Sequence, residues 1–181
     1  MIVFKVFILF ILALPSFGKE IFLFGDSMAE AVAKPLEKKF SGTLHSFSYK
    51  FKRGTRVDYW IFNPELYLEL GEKKPDIVLI SLGTNDLVAK KSNEQIINSL
   101  NILIEDLALL GIPRENIVLV ATPIQNDNNL NSDMKIAFEP YLIPSKDLLL
   151  ELKADNIHPT ITSNQIWSGF IFDALKVYFD L

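Results

Sequence analysis

Short apolar runs alternate with segments of helical periodicity from residue 19 to the end of the chain. The run at residues 76–82, DIVLISL, is continuous and rich in β-branched side chains, which is typical of a strand covered on both faces. In residues 44–51 aromatic and polar side chains alternate instead, which predicts a half-buried strand. The four predicted strands are residues 21–24, 44–51, 76–82 and 116–121. A fifth strand is not evident in the sequence.

Helical periodicity is clearest at residues 92–110, where Ile and Leu recur every three or four positions. Ser92 and Gln95 form a capping box at the start of this helix, and Gly111 is a stop signal after it. The predicted helices are residues 29–40 (with a proline inside), 64–70, 92–110 and 162–179. The remaining segments are a predicted loop at 125–133 and a stretch at 135–152 that two prolines leave undecided.

The order of these elements predicts an α/β fold with a parallel sheet between helices on both sides. In such folds ligands bind beyond the carboxyl ends of the strands. Polar residues follow each predicted strand at this edge, namely Asp26-Ser27, Gly54-Thr55, residues 83–86 and Thr122-Pro123. We therefore expect the functional site to lie there.

Composition limits the classes of partner that the protein can have. The 181 residues suit one domain, and 49% apolar residues are enough for a sizeable core. A net charge of −4 argues against binding to nucleic acid. A basic cluster of Lys50, Lys52, Arg53 and Arg56 is interpreted as a solvated loop or strand edge, with an anion site as the alternative. The lack of cysteine excludes disulfides, thiolate catalysis and cysteine-ligated zinc.

Residues 1–18 have the pattern of a signal peptide. Lys5 precedes an unbroken apolar run at 6–14, and small residues then stand before a cut after Gly18. The run is shorter than the ~20 residues of a membrane span. We predict an extracytoplasmic (periplasmic or secreted) protein whose mature domain is residues 19–181, without a membrane span after cleavage. A buried N-terminal strand and an uncleaved anchor are the alternatives.

A serine, a histidine and an aspartate are candidates for nucleophilic catalysis. Ser27 follows a strand and opens a helix, so its hydroxyl can point out of the top of the sheet. His158, one of two histidines, lies in a predicted loop and suits the general base of a serine nucleophile. Asp155, three residues earlier, can orient the imidazole and stabilise its cation. The other histidine, His45, falls in a predicted strand.

Three groups are candidates for an oxyanion hole. They are the backbone amide of Ser27 at a helix N-terminus, the backbone amide of Gly54 and the side-chain amide of Asn85. A short motif such as G-D-S, G-x-N-D or D-x-x-H is common by itself. All of them occur here in one order, each at a strand end or in a loop, and this joint occurrence is far more specific than any part.

With these motifs the mature region resembles the SGNH hydrolase family, also called GDSL-type esterases. Ser27 matches the family nucleophile, and Asp155 and His158 match the acid and base of its closing motif. Gly54 and Asn85 match its oxyanion donors, whereas Met28 stands where leucine is usual. The resemblance implies a flavodoxin-like three-layer α/β/α sandwich with about five parallel strands. It also implies ester hydrolysis through an acyl-enzyme, without metal or cofactor.

The natural ester is open to several interpretations. A small domain outside the cytoplasm favours a small acyl group, such as acetyl on a carbohydrate. The first alternative is a lysophospholipase or thioesterase, with an apolar acyl site drawn from Tyr59, Trp60, Leu87, Val88 and Ile124. Acyl transfer to a sugar and a non-catalytic binding module are the others. A metal-dependent hydrolase is disfavoured because two histidines and no cysteine are a poor ligand set. The sequence does not predict the oligomeric state.

Overall fold

A computed structural model describes residues 18–124, 127–145 and 148–181. The predicted signal peptide, apart from Gly18, lies outside the described residues. The strands are β1 (Glu20–Gly25), β2 (Ser46–Phe51), β3 (Ile77–Ser81), β4 (Ile117–Val120) and β5 (Leu142–Ile143). The helices are α1 (Ser27–Phe40), α2 (Val57–Ile61), α3 (Pro64–Lys73), α4 (Thr84–Val88), α5 (Asn93–Leu109), α6 (Leu130–Phe138) and α7 (Ile161–Phe179).

The five strands form one parallel sheet in the order β2-β1-β3-β4-β5. This is the strand order of flavodoxin-like folds, and it confirms the predicted fold class. The strand order reverses between β1 and β3, because the chain leaves β1 towards β2 on one side and later returns to β3 on the other. The carboxyl end of β1, which leads into Asp26 and Ser27, therefore lies at the topological switch point.

Alternate side chains of the strands supply two separate hydrophobic cores. Ile21 and Leu23 of β1 face α1 and α7, whereas Phe22 and Phe24 face α2, α3, α5 and α6. Each of these four side chains is completely buried. Burying one such side chain stabilises the fold by about 1.5–3 kcal/mol. The continuous apolar character of the strand follows from this arrangement, since both of its faces are covered.

The end of β1 approaches its neighbour so closely that only glycine fits. A Cβ atom added to Gly25 would lie 2.1 Å from the carbonyl oxygen of Ser81 on β3. The next residue, Asp26, donates its backbone N–H to the same oxygen at 3.3 Å. On the other side, the Lys52 N–H donates to the Gly25 carbonyl at 3.0 Å. These contacts fix the backbone directly before Ser27.

The structure differs from the sequence prediction mainly after β4. The fifth strand is only Leu142–Ile143, within the stretch left undecided. The predicted loop at 125–133 is wrong from Leu130 onward, because α6 begins there. Buried Asp127 accepts the backbone N–H of Asn131 at 2.8 Å, which supports the first turn of this helix. The five-residue helices α2 and α4 were not predicted.

In the described residues no helix has the length and apolar character to cross a bilayer.

Candidate active site

Ser27 is the first residue of α1. The helix begins here because Asp26 is its N-cap, with a carboxylate oxygen that accepts the Met28 N–H at 2.8 Å. Ser27 is half-buried, while the apolar side chains of Met28 and Ala29 are buried in the core below it. The turn from β1 into α1 thus presents the serine hydroxyl at the carboxyl edge of the sheet.

Ser27, His158 and Asp155 form a continuous chain of hydrogen bonds. The Nε2 atom of His158 lies 2.8 Å from the Ser27 Oγ, and its Nδ1 lies 2.8 Å from an Asp155 carboxylate oxygen. Since an ionised carboxylate only accepts, Nδ1 carries the ring hydrogen and Nε2 accepts from the serine hydroxyl. This is the tautomer that a general base needs.

The Asp155 carboxylate is held in place by its own loop. Its second oxygen accepts the backbone N–H groups of Ile157 and His158, each at 2.9 Å. These bonds, with the imidazole contact, hold the pKa of Asp155 well below its usual range. The loop is closed by the Lys153 N–H, which donates to the His158 carbonyl at 2.7 Å. Asp155 is therefore ionised wherever His158 can act as a base.

Asn85 is joined to both neighbouring loops. Its side-chain amide nitrogen donates to the second Asp26 carboxylate oxygen at 2.8 Å and to the Thr55 carbonyl at 3.0 Å. Both partners are acceptors, so the NH₂ end of the amide must face them. Both amide hydrogens are thus engaged in the free protein. The bond to Asp26 fixes the direction of the amide.

Gly54 lies in the loop between β2 and α2 with φ +73°, a left-handed conformation that favours glycine. A Cβ atom here would meet open space, so conformation rather than crowding explains the residue. Among the described residues, neither the Gly54 N–H nor the Ser27 N–H donates a hydrogen bond to another group. Both donors are available to a bound anion.

The buried carboxylate of Asp26 was missed as a separate element of the site, although its place in the G-D-S motif was recognised. Burial raises the pKa of Asp26 to about 6, although the bonds from Met28 and Asn85 partly compensate. Its carboxylate orients the amide of Asn85, so Asp26 positions the candidate oxyanion hole.

We expect Asp26 to make stability pH-dependent in a defined direction. Its reference pKa is 3.8, so between pH 4 and 6 the folded protein binds the proton that the unfolded chain has lost, and stability falls as the pH rises. The ionised carboxylate then lowers the free energy of unfolding by about 3 kcal/mol at neutral pH, since a tenfold change in proton affinity equals about 1.4 kcal/mol.

Denaturant unfolding of wild type and Asp26→Asn from pH 3.5 to 7.5 measures this effect. Asparagine keeps the N-cap but does not titrate. The variant's stability minus that of wild type should therefore rise by about 3 kcal/mol from the acid to the neutral end. A difference that does not change with pH would mean that Asp26 ionises normally.

Two open cavities meet at Gly54 and Asn85. The nucleophile cavity, of about 730 Å³, also contains Ser27 and His158. The second cavity, of about 830 Å³, is lined on its far side by Tyr59, Phe62 and Val88, and we call it the aromatic cavity. Both lie in the volume range of small-molecule sites.

The apolar acyl site proposed from the sequence is only partly present. Tyr59 and Val88 line the aromatic cavity. Trp60 and Ile124 are instead buried in the two cores, and Leu87 packs against one of them. Exposed Phe62 lines the cavity and was missed, because its neighbours gave no sign of a pocket.

The basic cluster forms local contacts at the strand edge. Lys50 pairs with Glu69 at 3.0 Å, and Arg56 lies 3.8 Å from Asp58. Lys52 stands over the Tyr59 ring, 4.4 Å from its centroid. Arg53 makes a two-pronged ion pair with Glu30 of α1 beside the nucleophile. Of these two residues, only Glu30 could be placed beside the nucleophile from the sequence, because it is three residues after Ser27 and so lies on the same helical face.

His45 lies outside the site. It directly precedes β2, and its Nδ1 accepts the Lys19 backbone N–H at 3.0 Å. Within residues 18–124, 127–145 and 148–181, no three histidine or carboxylate side chains gather in a way that could hold a metal ion.

Comparison with known proteins identifies the fold. No protein-family model matches the chain, and no curated protein matches it in sequence. The structure is similar to that of TesA, with a TM-score of 0.69 and 17% identity over 89% of this chain and 100% of that one. It is similar to a carbohydrate esterase of family 3 from Talaromyces cellulolyticus, with a TM-score of 0.66 and 15% identity over 90% and 99% of the two chains.

A third similar structure is a protein from Desulfitobacterium hafniense described as lipolytic and of the G-D-S-L family. Its TM-score is 0.61 and its identity 14%, over 87% of this chain and 100% of that one. At such identities the likeness concerns the fold. The chain has the fold of GDSL-type esterases and lipolytic proteins, which confirms the resemblance at that level.

Proposed function

We propose that the protein is a serine hydrolase that cleaves carboxylic esters through an acyl-enzyme. The observation that carries this proposal is the unbroken hydrogen-bond chain from the Ser27 Oγ through His158 to Asp155. His158 Nε2 takes the serine proton as Oγ attacks the ester carbonyl carbon, and Asp155 stabilises the imidazolium that forms. His158 then gives the proton to the leaving alcohol.

The negative oxygen of the tetrahedral intermediate is held by three donors in this proposal. They are the Ser27 N–H, the Gly54 N–H and the side-chain amide of Asn85. Neither backbone donor has an acceptor among the described residues, and Asn85 is proposed to share with the substrate oxygen the hydrogen that points at the Thr55 carbonyl. Each such donor is typically worth about 2.7–4 kcal/mol in the transition state. Water then enters, loses a proton to His158 and releases the acid from Ser27.

The proposed substrate is a small acyl ester, such as an acetyl ester, of an extracytoplasmic carbohydrate. The nucleophile cavity is open, and beside apolar residues such as Phe51 its lining contains the side-chain amides of Asn164 and Gln165, which suit sugar hydroxyls. The similarity in fold to a carbohydrate esterase is consistent with this proposed substrate. The location outside the cytoplasm depends on the predicted signal peptide, with residues 19–181 as the mature domain.

A lipolytic activity, as a lysophospholipase or thioesterase, is the second candidate. It is favoured by the aromatic cavity, where Phe62 is 80% and Val88 56% exposed, because such side chains can bind a longer acyl chain. A non-catalytic binding module on the same scaffold is a third and weaker reading. A binding module would not explain why Ser27 is hydrogen-bonded to His158.

The acyl length profile separates these candidates. With p-nitrophenyl esters we expect kcat/KM for acetyl to exceed that for octanoyl by about tenfold or more, and acetylated xylan to release acetate. Differences of this size follow when a pocket accommodates few methylenes. Ser27→Ala is the blank for spontaneous hydrolysis. A preference for octanoyl would instead favour the lipolytic reading, and no turnover of any ester above the blank would contradict hydrolysis altogether.

A further inference from the structure

Among the described residues, one acidic and three basic side chains line the nucleophile cavity. Glu30 and Lys34 come from α1, Arg53 from the loop after β2, and Lys153 from the loop that carries His158. The chain as a whole has a net charge of −4. The side chains that line the cavity therefore have a positive net charge, whereas the chain as a whole has a negative one.

The charges of the cavity do not cancel. Arg53 and Glu30 neutralise each other in their two-pronged ion pair. No carboxylate of the described residues lies within 4.0 Å of Lys34 or Lys153. Within the described part of the chain, two cations thus remain without a carboxylate partner on the two elements that also supply Ser27 and His158.

The position of His158 shows which part of an ester these lysines face. In acyl transfer the imidazole must give its proton to the leaving alcohol, so the alcohol lies on the His158 side of the carbonyl carbon. His158 lines the nucleophile cavity but not the aromatic cavity. The alcohol part of the ester therefore occupies the cavity that holds Lys34 and Lys153.

We propose that the alcohol part of the substrate is an acidic sugar, whose carboxylate lies between Lys34 and Lys153. This inference rests on the proposed esterase function and narrows its substrate class. Asn164 and Gln165, in the same wall, offer amides to the hydroxyl groups of the sugar.

The expected size of the effect follows from the exposure of the lysines. Both are exposed, and an ion pair between exposed groups changes affinity by up to about fivefold. Two such pairs give a preference of about tenfold for the charged substrate. The preference should appear mainly in KM and shrink as salt is added, because ions screen exposed charges.

The test compares two acetylated sugars that differ only in charge. One is an acetylated methyl glycoside of galacturonic acid with a free carboxylate, and the other is its neutral uronamide. We expect wild type to prefer the acid by about tenfold in kcat/KM, and Lys34→Gln with Lys153→Gln to abolish this preference. The preference is taken as the ratio of kcat/KM for the acid to kcat/KM for the uronamide within each protein, so a general loss of activity in the double variant does not count as a loss of preference. Lys38→Gln, an exposed lysine of α1 outside the cavity, is the matched control and should keep the preference.

Three results would overturn the inference. The first is equal kcat/KM for acid and amide in wild type, and the second is a preference that survives in the double variant. The third is a stronger preference for acetylated glycerol phosphate than for the acidic sugar, which would assign the cations to a phosphate group. Hydrolysis of the neutral uronamide reports on the esterase function separately. If wild type hydrolyses neither of the two sugars nor an aryl acetate, the proposed function is wrong, whereas equal hydrolysis of both sugars overturns only the inference about charge.

Discussion

Replacing Ser27 with alanine should lower kcat for an aryl acetate by about 10⁴- to 10⁶-fold, the loss typical of removing a catalytic serine. The residue supplies the atom that forms the acyl-enzyme, and no other described side chain near His158 Nε2 takes its place in the hydrogen-bond chain. The rate should fall to the level that the oxyanion donors alone can sustain.

The fold should survive this substitution. The Ser27 side chain is half-buried, and its hydroxyl contacts His158 rather than the core. Circular dichroism and the midpoint of thermal unfolding should match wild type, which separates loss of chemistry from loss of structure. Wild-type turnover by a folded Ser27→Ala variant would refute the assignment of the nucleophile.

Asp155→Asn should lower kcat by about 10⁴-fold, with a smaller effect on KM. The asparagine oxygen can still accept the backbone N–H groups of Ile157 and His158, so the loop geometry is kept. Its NH₂ group, however, then donates to His158 Nδ1. The ring hydrogen must then be on Nε2, and a protonated Nε2 can no longer accept the proton of Ser27.

The matched control for this variant is Asp173→Asn, which changes an exposed aspartate of α7 outside both cavities. Steady-state kinetics with p-nitrophenyl acetate should show wild-type kcat for the control. A loss below tenfold in Asp155→Asn would mean that Asp155 does not set the tautomer of His158. The base would then be oriented by another group.

Much of the fold was predictable from the sequence, because the pattern of apolar residues is clearest in the elements that are most deeply buried. Apart from the half-buried Glu20, the residues of the central strands β1, β3 and β4 are buried, and their sequences are nearly continuous apolar runs. Helix α5 has an apolar stripe and a capping box that mark its start. In a parallel sheet the carboxyl ends of all strands lie at one edge. Ser27 and Asn85, which follow neighbouring strands, are therefore expected to lie near each other.

Elements that depend on tertiary contacts were not predictable. The two residues of β5 form a strand only because β4 offers its edge at Leu119 and Val120. The local sequence before α6 is rich in loop-forming residues, and the buried Asp127 overrides this preference. These features are decided by partners distant in sequence or by burial, neither of which a single sequence displays.

The site shows the same division. The sequence predicted the members of the hydrogen-bond chain, and in the structure Ser27, His158 and Asp155 are in contact although Ser27 and His158 are 131 positions apart. The sequence did not predict that both amide hydrogens of Asn85 are engaged in hydrogen bonds, nor that Arg53 and Glu30 neutralise each other. These facts depend on how three loops approach one another, which only the packed sheet determines.

The most direct test of the central claim, a serine nucleophile activated by His158, is covalent labelling with a small alkyl phosphonate that reacts with activated serines. Intact-protein mass spectrometry should show one phosphonyl group on wild type, peptide mapping should place it on Ser27, and Ser27→Ala should remain unlabelled. Because the reagent needs an activated hydroxyl and not the natural ester, the result does not depend on the substrate. A wild-type protein that stays unlabelled, or an equal label on Ser27→Ala, would contradict the claim.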